Sequence, residues 1–258
     1  MNEVDKLKTI LQFSDDNYYY GDKEYITNSM LSKLNQSPMH LQKYLDGEKD
    51  SSPALSFGSA FHTFILEPEK VDTIVVFEGK TRRGKAWDEF CIDNADKTII
   101  TSKEWETITN MSKVILNNEE AIDFIAHSHK EVVNIWDDTT RGIECKGKVD
   151  CTFTASDNRK ILVDIKTTKD SSIDSFRRTS WKYGYDRQAA FYMNGFDADE
   201  FWFIVIEKES PHRVGIYKAS EPFLNEGRNK INTLMDLYHK YFVSKEEKIN
   251  EFYFKGEL

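Results

Sequence analysis

The sequence predicts an α/β or α+β domain in which a mixed central β-sheet is flanked by helices. Three observations support this fold class. Apolar residues recur at helical spacing through roughly residues 1–126. The period then changes to two, in three short segments that are rich in β-branched residues and separated by turn residues. Helical and strand patterns follow one another again in the remaining chain, an order that favours helices packed on a sheet.

Four helices are predicted in the first half of the chain. Thr27 or Asn28 caps the first helix, and the second ends at Gly47. A third covers residues 54–66, and the longest is expected over residues 103–126. The predicted inner stripe of this longest helix is Trp105, Ile108, Met111, Ile115 and Ile122.

The second half of the chain supplies the sheet and the helices that cover it. The predicted strands are 131–136, 143–154, 160–165, 201–207 and 213–219. The predicted helices are about 172–183, 185–195 and 221–243. Gly184 separates the first two of these helices, since glycine readily ends a helix.

One domain spanning residues 1–258 is expected, because no repeat, linker or low-complexity segment interrupts the chain. Its helical N-terminal portion, about 1–126, precedes a sheet core of about 127–220. Hydrophobic content of 39% and aromatic content of 13% are typical of a globular protein. No run of about 18 apolar residues occurs, and the N-terminus lacks the features of a secretion signal. We therefore expect a cytoplasmic protein with no membrane partner.

The cysteines do not form a recognisable framework. They are Cys91, Cys145 and Cys151. Their odd number, wide spacing and lack of a Cys-x-x-Cys pair argue against structural disulfides, a zinc site or an iron–sulfur cluster. Buried free thiols are the expected state.

The formal charge of −9 has the wrong sign for an indiscriminate nucleic-acid binder. Local basic clusters nevertheless occur. One contains Arg82, Arg83 and Lys85, and another begins at Arg177. Each cluster fits either a nucleic-acid contact or a solvated loop.

The strongest chemical signal is a pair of acids on consecutive predicted strands. Asp150 ends the string Gly-Lys-Val-Asp, and Asp164 begins Asp-x-Lys, which Lys166 completes. Strand side chains alternate, so Asp164 and Lys166 share a side, and a hairpin would bring the two acids together. Carboxylate oxygens suit Mg²⁺ or Mn²⁺, which can activate water against a phosphodiester. Asp-x-Lys is also common on solvated strand ends, so the motif alone does not establish a nuclease.

The strings GKVD, DIKTT and YDRQAAFY, in that order, resemble the PD-(D/E)XK nuclease superfamily. They are most similar to the RecE-type exodeoxyribonuclease VIII group, which is related to lambda exonuclease and the RecB nuclease domain. The upstream segments ITNSMLSKLNQSPMHLQKYLDG, FGSAFHTFILEPE and TRRGKAWDEF extend the resemblance to roughly residues 25–220. It implies a restriction-endonuclease-like core. Val149 replaces the family's proline and Asp164 its frequent glutamate, and neither change removes a ligand.

The resemblance implies a metal centre and a catalytic lysine. Asp150 and Asp164 would be the metal carboxylates, and the backbone carbonyl of Ile165 would also coordinate. His62 would complete the metal shell. Lys166 would be the catalytic lysine.

Three more residues match the family near the active site. Gln188 and Tyr192 are four residues apart, hence on one helix face. Their implied role is hydrogen bonding to a DNA phosphate or to the catalytic lysine. Glu131 resembles a family acid near the metal, although a surface glutamate at a strand start explains it equally well. His62 taken alone also fits a packed histidine, and Gly58 beside it fits a close helix approach.

The function implied by the resemblance is a Mg²⁺-dependent DNA exonuclease. It would digest linear duplex DNA 5′→3′ and expose single strands for annealing, as in phage recombination. A ring-shaped homo-oligomer and a single-strand annealing protein are the implied partners. The channel residues would be Arg82, Arg83, Lys85 and Arg177.

A restriction-like or structure-specific endonuclease and a non-catalytic DNA-binding protein remain as alternatives. The lack of a recognition domain disfavours the first, and the intact set of chemical residues disfavours the second.

Overall fold

Helices fill most of the first half of the chain and strands most of the middle. The computed structural model describes residues 3–254, apart from 49 and 80. The helices are α1 (Glu3–Phe13), α2 (Asp16–Gly21), α3 (Asn28–Gln36), α4 (Pro38–Leu45), α5 (Pro53–Leu66), α6 (Lys85–Asp93), α7 (Ser102–Leu116), α8 (Glu119–Ala126), α9 (Ile173–Tyr183), α10 (Tyr185–Phe196) and α11 (Glu221–Tyr238). The strands are β1 (Ile74–Phe77), β2 (Thr98–Thr101), β3 (His129–Asp138), β4 (Ile143–Thr154), β5 (Lys160–Thr168), β6 (Glu200–Glu207) and β7 (Val214–Lys218). Short 3₁₀ segments lie at Pro68–Thr73 and Ile249–Glu251, and a π turn at His239–Val243.

A mixed five-stranded sheet with the order β3-β4-β5-β6-β7 forms the centre of the fold. Its neighbouring strands are antiparallel except for the parallel pair β5 and β6. The predicted mixed central sheet flanked by helices is therefore confirmed. A second, two-stranded parallel sheet pairs β1 with β2. The sequence does not predict this sheet, because four-residue strands are too short to show a period.

The central sheet divides at the middle of β4. Strands β4 and β5 are paired only from Thr154↔Lys160 to Cys151↔Val163. Beyond that point β4 stays paired with β3, while β5 stays paired with β6 as far as Thr168. The resulting fork leaves a gap between two strands that are adjacent elsewhere.

Helices cover both faces of the sheet. Helices α5, α7 and α8 pack on the face that contains Val163 and Ile165. Helices α9, α10 and α11 pack on the opposite face, which contains Leu162 and Phe203. Side chains on β5 alternate between the two faces of the sheet, and apolar residues of β5 pack on both faces. The strand is therefore almost fully buried. Burial of these two layers is the main source of stability.

The helix predicted over residues 103–126 is in fact two helices. Asn117 ends α7, and the Asn118 side chain caps α8 by accepting a 2.9 Å hydrogen bond from the Ala121 amide. Asparagine side chains compete for backbone hydrogen bonds, so two in succession break the helix. Because α8 begins as a separate helix, its buried face differs from the one predicted for a continuous helix. Ala121 and Ile125 are buried, while Ile122 is only half-buried.

Two expectations from composition can be compared with the structure. Cys145 and Cys151 are buried free thiols, whereas Cys91 is half-buried. No helix in the described part of the chain is long and apolar enough to cross a lipid bilayer. The single-domain organisation stays a prediction.

The N-terminal helices α1 and α2 are attached to β4 through a buried lysine. Lys146 is fully buried, and its Nζ donates to the Tyr19 carbonyl at 2.7 Å and to Asp22 Oδ1 at 2.9 Å. The same ammonium lies 4.2 Å from the Phe13 ring centroid. Burial lowers the pKa of Lys146, and the Asp22 carboxylate opposes that shift. A cation in this position needs all of these partners to offset its desolvation.

We predict that Lys146→Met destabilises the fold and loosens α1 and α2. The methionine keeps most of the buried volume but removes the hydrogen bonds to Tyr19 and Asp22. The expected loss in free energy of unfolding is about 1–3 kcal/mol, measured by urea denaturation. Limited trypsin digestion should also cut near the N-terminus faster than in the wild type. The control is Lys130→Met at an exposed position on β3, and equal behaviour of the two variants would contradict the prediction.

Candidate metal centre

Three carboxylates stand at one level across β3, β4 and β5. Cys151 pairs with Val163 at one end of the antiparallel ladder between β4 and β5. Asp150 comes one residue before Cys151, so it lies opposite Asp164, which comes one residue after Val163. Glu131 lies between Lys130, which pairs with Cys151, and Val132, and so stands opposite Asp150. The acids thus meet at the fork, where the gap between β4 and β5 leaves room for their side chains.

A histidine from the helical layer joins the acids. Helix α5 begins at Pro53 under a Ser52 cap and buries Phe61 against the sheet. This places His62 Nδ1 3.4 Å from Asp150 Oδ2. The Ile165 amide donates to Asp150 Oδ2 at 2.7 Å, so the backbone of Ile165, whose carbonyl is a predicted ligand, lies beside the cluster.

The spacing of these groups suits a cation. Ligand atoms of His62, Glu131 and Asp150 all lie within 4.8 Å of one another. Around Mg²⁺, ligands bound at about 2.1 Å lie about 3–4 Å apart, so these ligand atoms would have to approach one another by about 1–2 Å at most to close the site. The residues present therefore fit a divalent ion, although the set of three differs from the expected one, since Glu131 is included and Asp164 is not.

Asp164 lies beside this cluster and offers one further oxygen. Its side chain is 3% exposed, and its Oδ1 accepts a 2.8 Å hydrogen bond from Gln188 Nε2. Its Oδ2 is 2.5 Å from Lys166 Nζ, but this ion pair lacks hydrogen-bond geometry, and the buried Oδ2 has no hydrogen-bond partner among the described residues. The Lys166 ammonium is thus the cation that offsets the cost of burying this oxygen.

Glu131 is held in a strained conformation. Its φ of 51° is in the left-handed region, which non-glycine residues rarely adopt and which costs about 1–3 kcal/mol. Lys148 Nζ lies 3.1 Å from Glu131 Oε2 and 2.5 Å from Asp16 Oδ1. Helix α2 therefore supports the metal centre, through Asp16 and Lys148.

The electrostatics favour a bound cation. Burial and the Asp164 carboxylate raise the pKa of Asp150 to about 8. Burial and Asp150 raise the pKa of Glu131 to about 7. Burial and the Lys166 ammonium lower the pKa of His62, which keeps the imidazole neutral and able to coordinate. A divalent ion would displace the protons and offset the repulsion between the acids.

Lys166 stays charged in this environment. Burial disfavours its ammonium, but Asp164, Tyr185 and Asp150 together hold its pKa above the usual value. The Tyr185 ring centroid is 4.9 Å from Lys166 Nζ. The cation at Lys166 is therefore fixed between an acid and an aromatic ring.

Helix α10 contributes from the other face of the sheet. Gln188 donates to Asp164 rather than to Lys166. Tyr192 lies against the backbone of β4, where a Cβ added at Gly147 would be 2.9 Å from the Tyr192 ring. Burial and Asp164 raise the pKa of Tyr192, so its hydroxyl stays protonated and can donate.

Two residues that support the centre were missed by the sequence analysis. Lys148 contacts Glu131, and its signal was its position two residues before Asp150 on an alternating strand. Tyr185 contacts Lys166, and its signal was its place one helical turn before Gln188.

The predicted DNA-contact residues make no hydrogen bond to the acid cluster in the described part of the chain. Arg82 donates to Glu104 at 2.5 Å, and Arg83 is exposed. Lys85 and Arg177 are exposed and form ion pairs with acids of their own helices. No ion pair in the described part of the chain joins any of the four to the metal centre.

We predict that Glu131→Gln weakens metal binding. The amide keeps the size but loses the charge, so the Mn²⁺ affinity measured by calorimetry at pH 8 should fall by about tenfold or more. Glu144→Gln, at an exposed position on β4, is the matched control. Unchanged affinity in Glu131→Gln would exclude this residue from the centre.

We also predict an inverse pH effect on the stability of the metal-free protein. Folded Asp150 keeps its proton up to about pH 8, whereas in the unfolded chain it ionises near the ordinary value of 3.8. Between these limits the folded state binds more protons, so its stability falls as pH rises. Asp150→Asn should remove part of this slope and raise the melting temperature at pH 8 in EDTA. Parallel melting-temperature curves for the two proteins between pH 5 and 8 would contradict this.

A solved structure shows the same fold. A proposed exonuclease from Eubacterium rectale superposes with a TM-score of 0.62 and 16% sequence identity, over 95% of each chain. A phage-related exonuclease from Haemophilus somnus 129PT matches 73% of this chain and 95% of its own, at 13% identity and a TM-score of 0.36, which supports no inference. No curated protein sequence matches the chain.

The sequence also matches a family model over most of its length. The model is that of the PDDEXK-like domain of unknown function (DUF3799), and it covers residues 27–250. This range includes His62, the acids of the fork and Tyr192, and excludes α1 and α2. The chain therefore belongs to the PDDEXK-like DUF3799 family, within the PD-(D/E)XK superfamily.

Proposed function

We propose that this protein is a divalent-metal-dependent DNA nuclease that cleaves phosphodiester bonds at the fork. The observation that carries the proposal is the meeting of Asp150, Asp164 and Lys166 with Glu131 and His62. Membership of the PD-(D/E)XK superfamily supports a nuclease. A non-catalytic role is disfavoured, because each of these groups is chemically competent.

Some of the chain's residues would hold the ion, and others would position the reactants. Glu131, Asp150, His62 and a carboxylate oxygen of Asp164 would hold the ion. Bound Mg²⁺ or Mn²⁺ would make water acidic enough to attack and would neutralise charge on the phosphate. Lys166, fixed by Asp164, orients the attacking water and stabilises the pentavalent transition state.

Mg²⁺ and Mn²⁺ are the proposed ions because oxygen ligands dominate the set. Hard divalent ions prefer carboxylates and carbonyls and retain bound waters. The imidazole of His62 is a softer ligand and favours Mn²⁺ more than Mg²⁺. We therefore expect activity with both ions.

We propose further that the enzyme is an exonuclease of the RecE type. The support is the order of the motifs GKVD, DIKTT and YDRQAAFY, with the helix that carries His62 upstream. On this proposal it degrades linear duplex DNA 5′→3′ and leaves a single strand for an annealing protein. A ring of subunits would keep the enzyme on its substrate.

Cleavage of linear and closed circular duplex DNA tests the nuclease and its type. With Mg²⁺ the wild type should degrade only the linear DNA, and EDTA should stop it. Asp164→Asn and Lys166→Met should each lower the rate by about 100-fold or more, because they remove charge at the reacting phosphate. The matched controls are Asp157→Asn, in an exposed turn, and Lys130→Met.

Each result has a separate meaning. Cutting of closed circles would replace the exonuclease with an endonuclease. Binding without cleavage would indicate a scaffold, and full activity of Asp164→Asn would reject the site. Linear DNA labelled at the 5′ or the 3′ end then gives the polarity, where early release of the 5′ label is expected.

A further inference from the structure

An open groove of about 600 Å³ runs beside the N-terminal half of α5, with α6 and β2 on its other side. The residues that matter for its chemistry are Ser52, Ser56, Ser59, Arg82, Trp87 and Lys97. Successive serines are three or four residues apart, so they form one polar stripe along the helix.

The groove is free of acids although the chain is rich in them. The chain has 44 Asp and Glu against 35 Lys and Arg, yet none of the described residues that line the groove is acidic. Lys97 is exposed and forms no ion pair with a described residue. Arg82 is fixed by Glu104 and lies 5.1 Å from the Trp87 ring. Hydroxyl and cationic groups suit a polyanion, and Glu104, which does not line the groove, occupies Arg82 but not Lys97.

The same helix connects the groove to the metal centre. Ser59 and Gly58 come three and four residues before His62, a distance of about one helical turn, or 5.4 Å. A Cβ added at Gly58 would meet no atom within 4 Å. Gly58 therefore does not serve the close helix approach expected from the sequence. It leaves the helix surface open beside His62.

We propose that this groove binds one strand of DNA and leads it to the metal centre. The sugar–phosphate backbone lies along Ser52, Ser56 and Ser59, and Lys97 and Arg82 contact its phosphates. A single strand is the occupant, because the groove holds only a short length of chain and is too small for a duplex. Contacts of this kind position the strand without reading its sequence.

The proposal rests on the proposed nuclease function but is tested by binding alone. A fluorescein-labelled single-stranded oligonucleotide is titrated with the full chain in EDTA, and its anisotropy gives Kd at several salt concentrations. Lys97→Gln should weaken binding and reduce the slope of log Kd against log salt by about 0.7, the value for one phosphate contact on a single strand. Lys113→Gln, at an exposed position on α7, is the matched control.

A steric variant tests the path between groove and centre. Gly58→Leu fills the open space, and because leucine favours helix more than glycine does, α5 should remain folded. We expect its Kd for the oligonucleotide to rise at least about fivefold, with Mn²⁺ affinity and circular dichroism unchanged. Ala54→Leu is the matched control, because it adds the same kind of bulk at an exposed position of α5 that lies one helical turn farther from His62 than Gly58 does.

The outcomes separate the groove from the catalytic function. Wild-type binding by both Lys97→Gln and Gly58→Leu would overturn the groove proposal even if the protein cleaves DNA. Absence of oligonucleotide binding by the wild type would overturn it too. Asp164→Asn should bind the oligonucleotide normally while losing cleavage. Retained cleavage by that variant would reject the catalytic proposal and leave the binding result standing.

Discussion

The repulsion between the carboxylates of the half-buried Asp150 and the buried Asp164 is the constraint on which the rest of this structure depends. Two like charges cannot both remain ionised in a buried site without compensation. Lys166 and Gln188 contact Asp164, and Lys148 supports the strained Glu131. Burial and the neighbouring Asp164 nevertheless raise the pKa of Asp150 to about 8, so the ionised form of Asp150 is disfavoured in the metal-free protein. A divalent cation would relieve this, which links the fold to the proposed chemistry.

The fork in the sheet makes room for these carboxylates and for the side chains that compensate them. Because β4 and β5 separate beyond Cys151 and Val163, helices on opposite faces can reach the same site. His62 comes from α5 on one face, and Gln188 comes from α10 on the other. Helix α5 also borders the open groove, so one helix connects the proposed strand path with the metal centre. The N-terminal helices lie outside the family match but support Lys148 through Asp16.

Spacing along the chain predicted the mixed central sheet and most of the helices that flank it, because periodicity is a local property. For the site, the same kind of pattern gave only a proposal. Alternation along β5 placed Asp164 beside Lys166. The break at Asn117 and Asn118 was missed, since apolar spacing continues across it. From the sequence, Glu131 fits either a surface position or the site. Its positive φ is imposed by the surrounding structure, and the neighbouring residues do not reveal it. The contact between Lys148 and Asp16 joins residues 132 positions apart, and no local pattern contains such information.

Anomalous scattering from crystals grown with Mn²⁺ tests the central claim most directly. We expect a manganese peak at the fork, with the ion bound by His62, Glu131 and Asp150 and with Asp164 within reach of it. Asp150→Asn crystals should lose that peak. A manganese ion at another place in a protein that cleaves DNA, or an empty fork at saturating Mn²⁺, would contradict the claim that these acids form the metal centre.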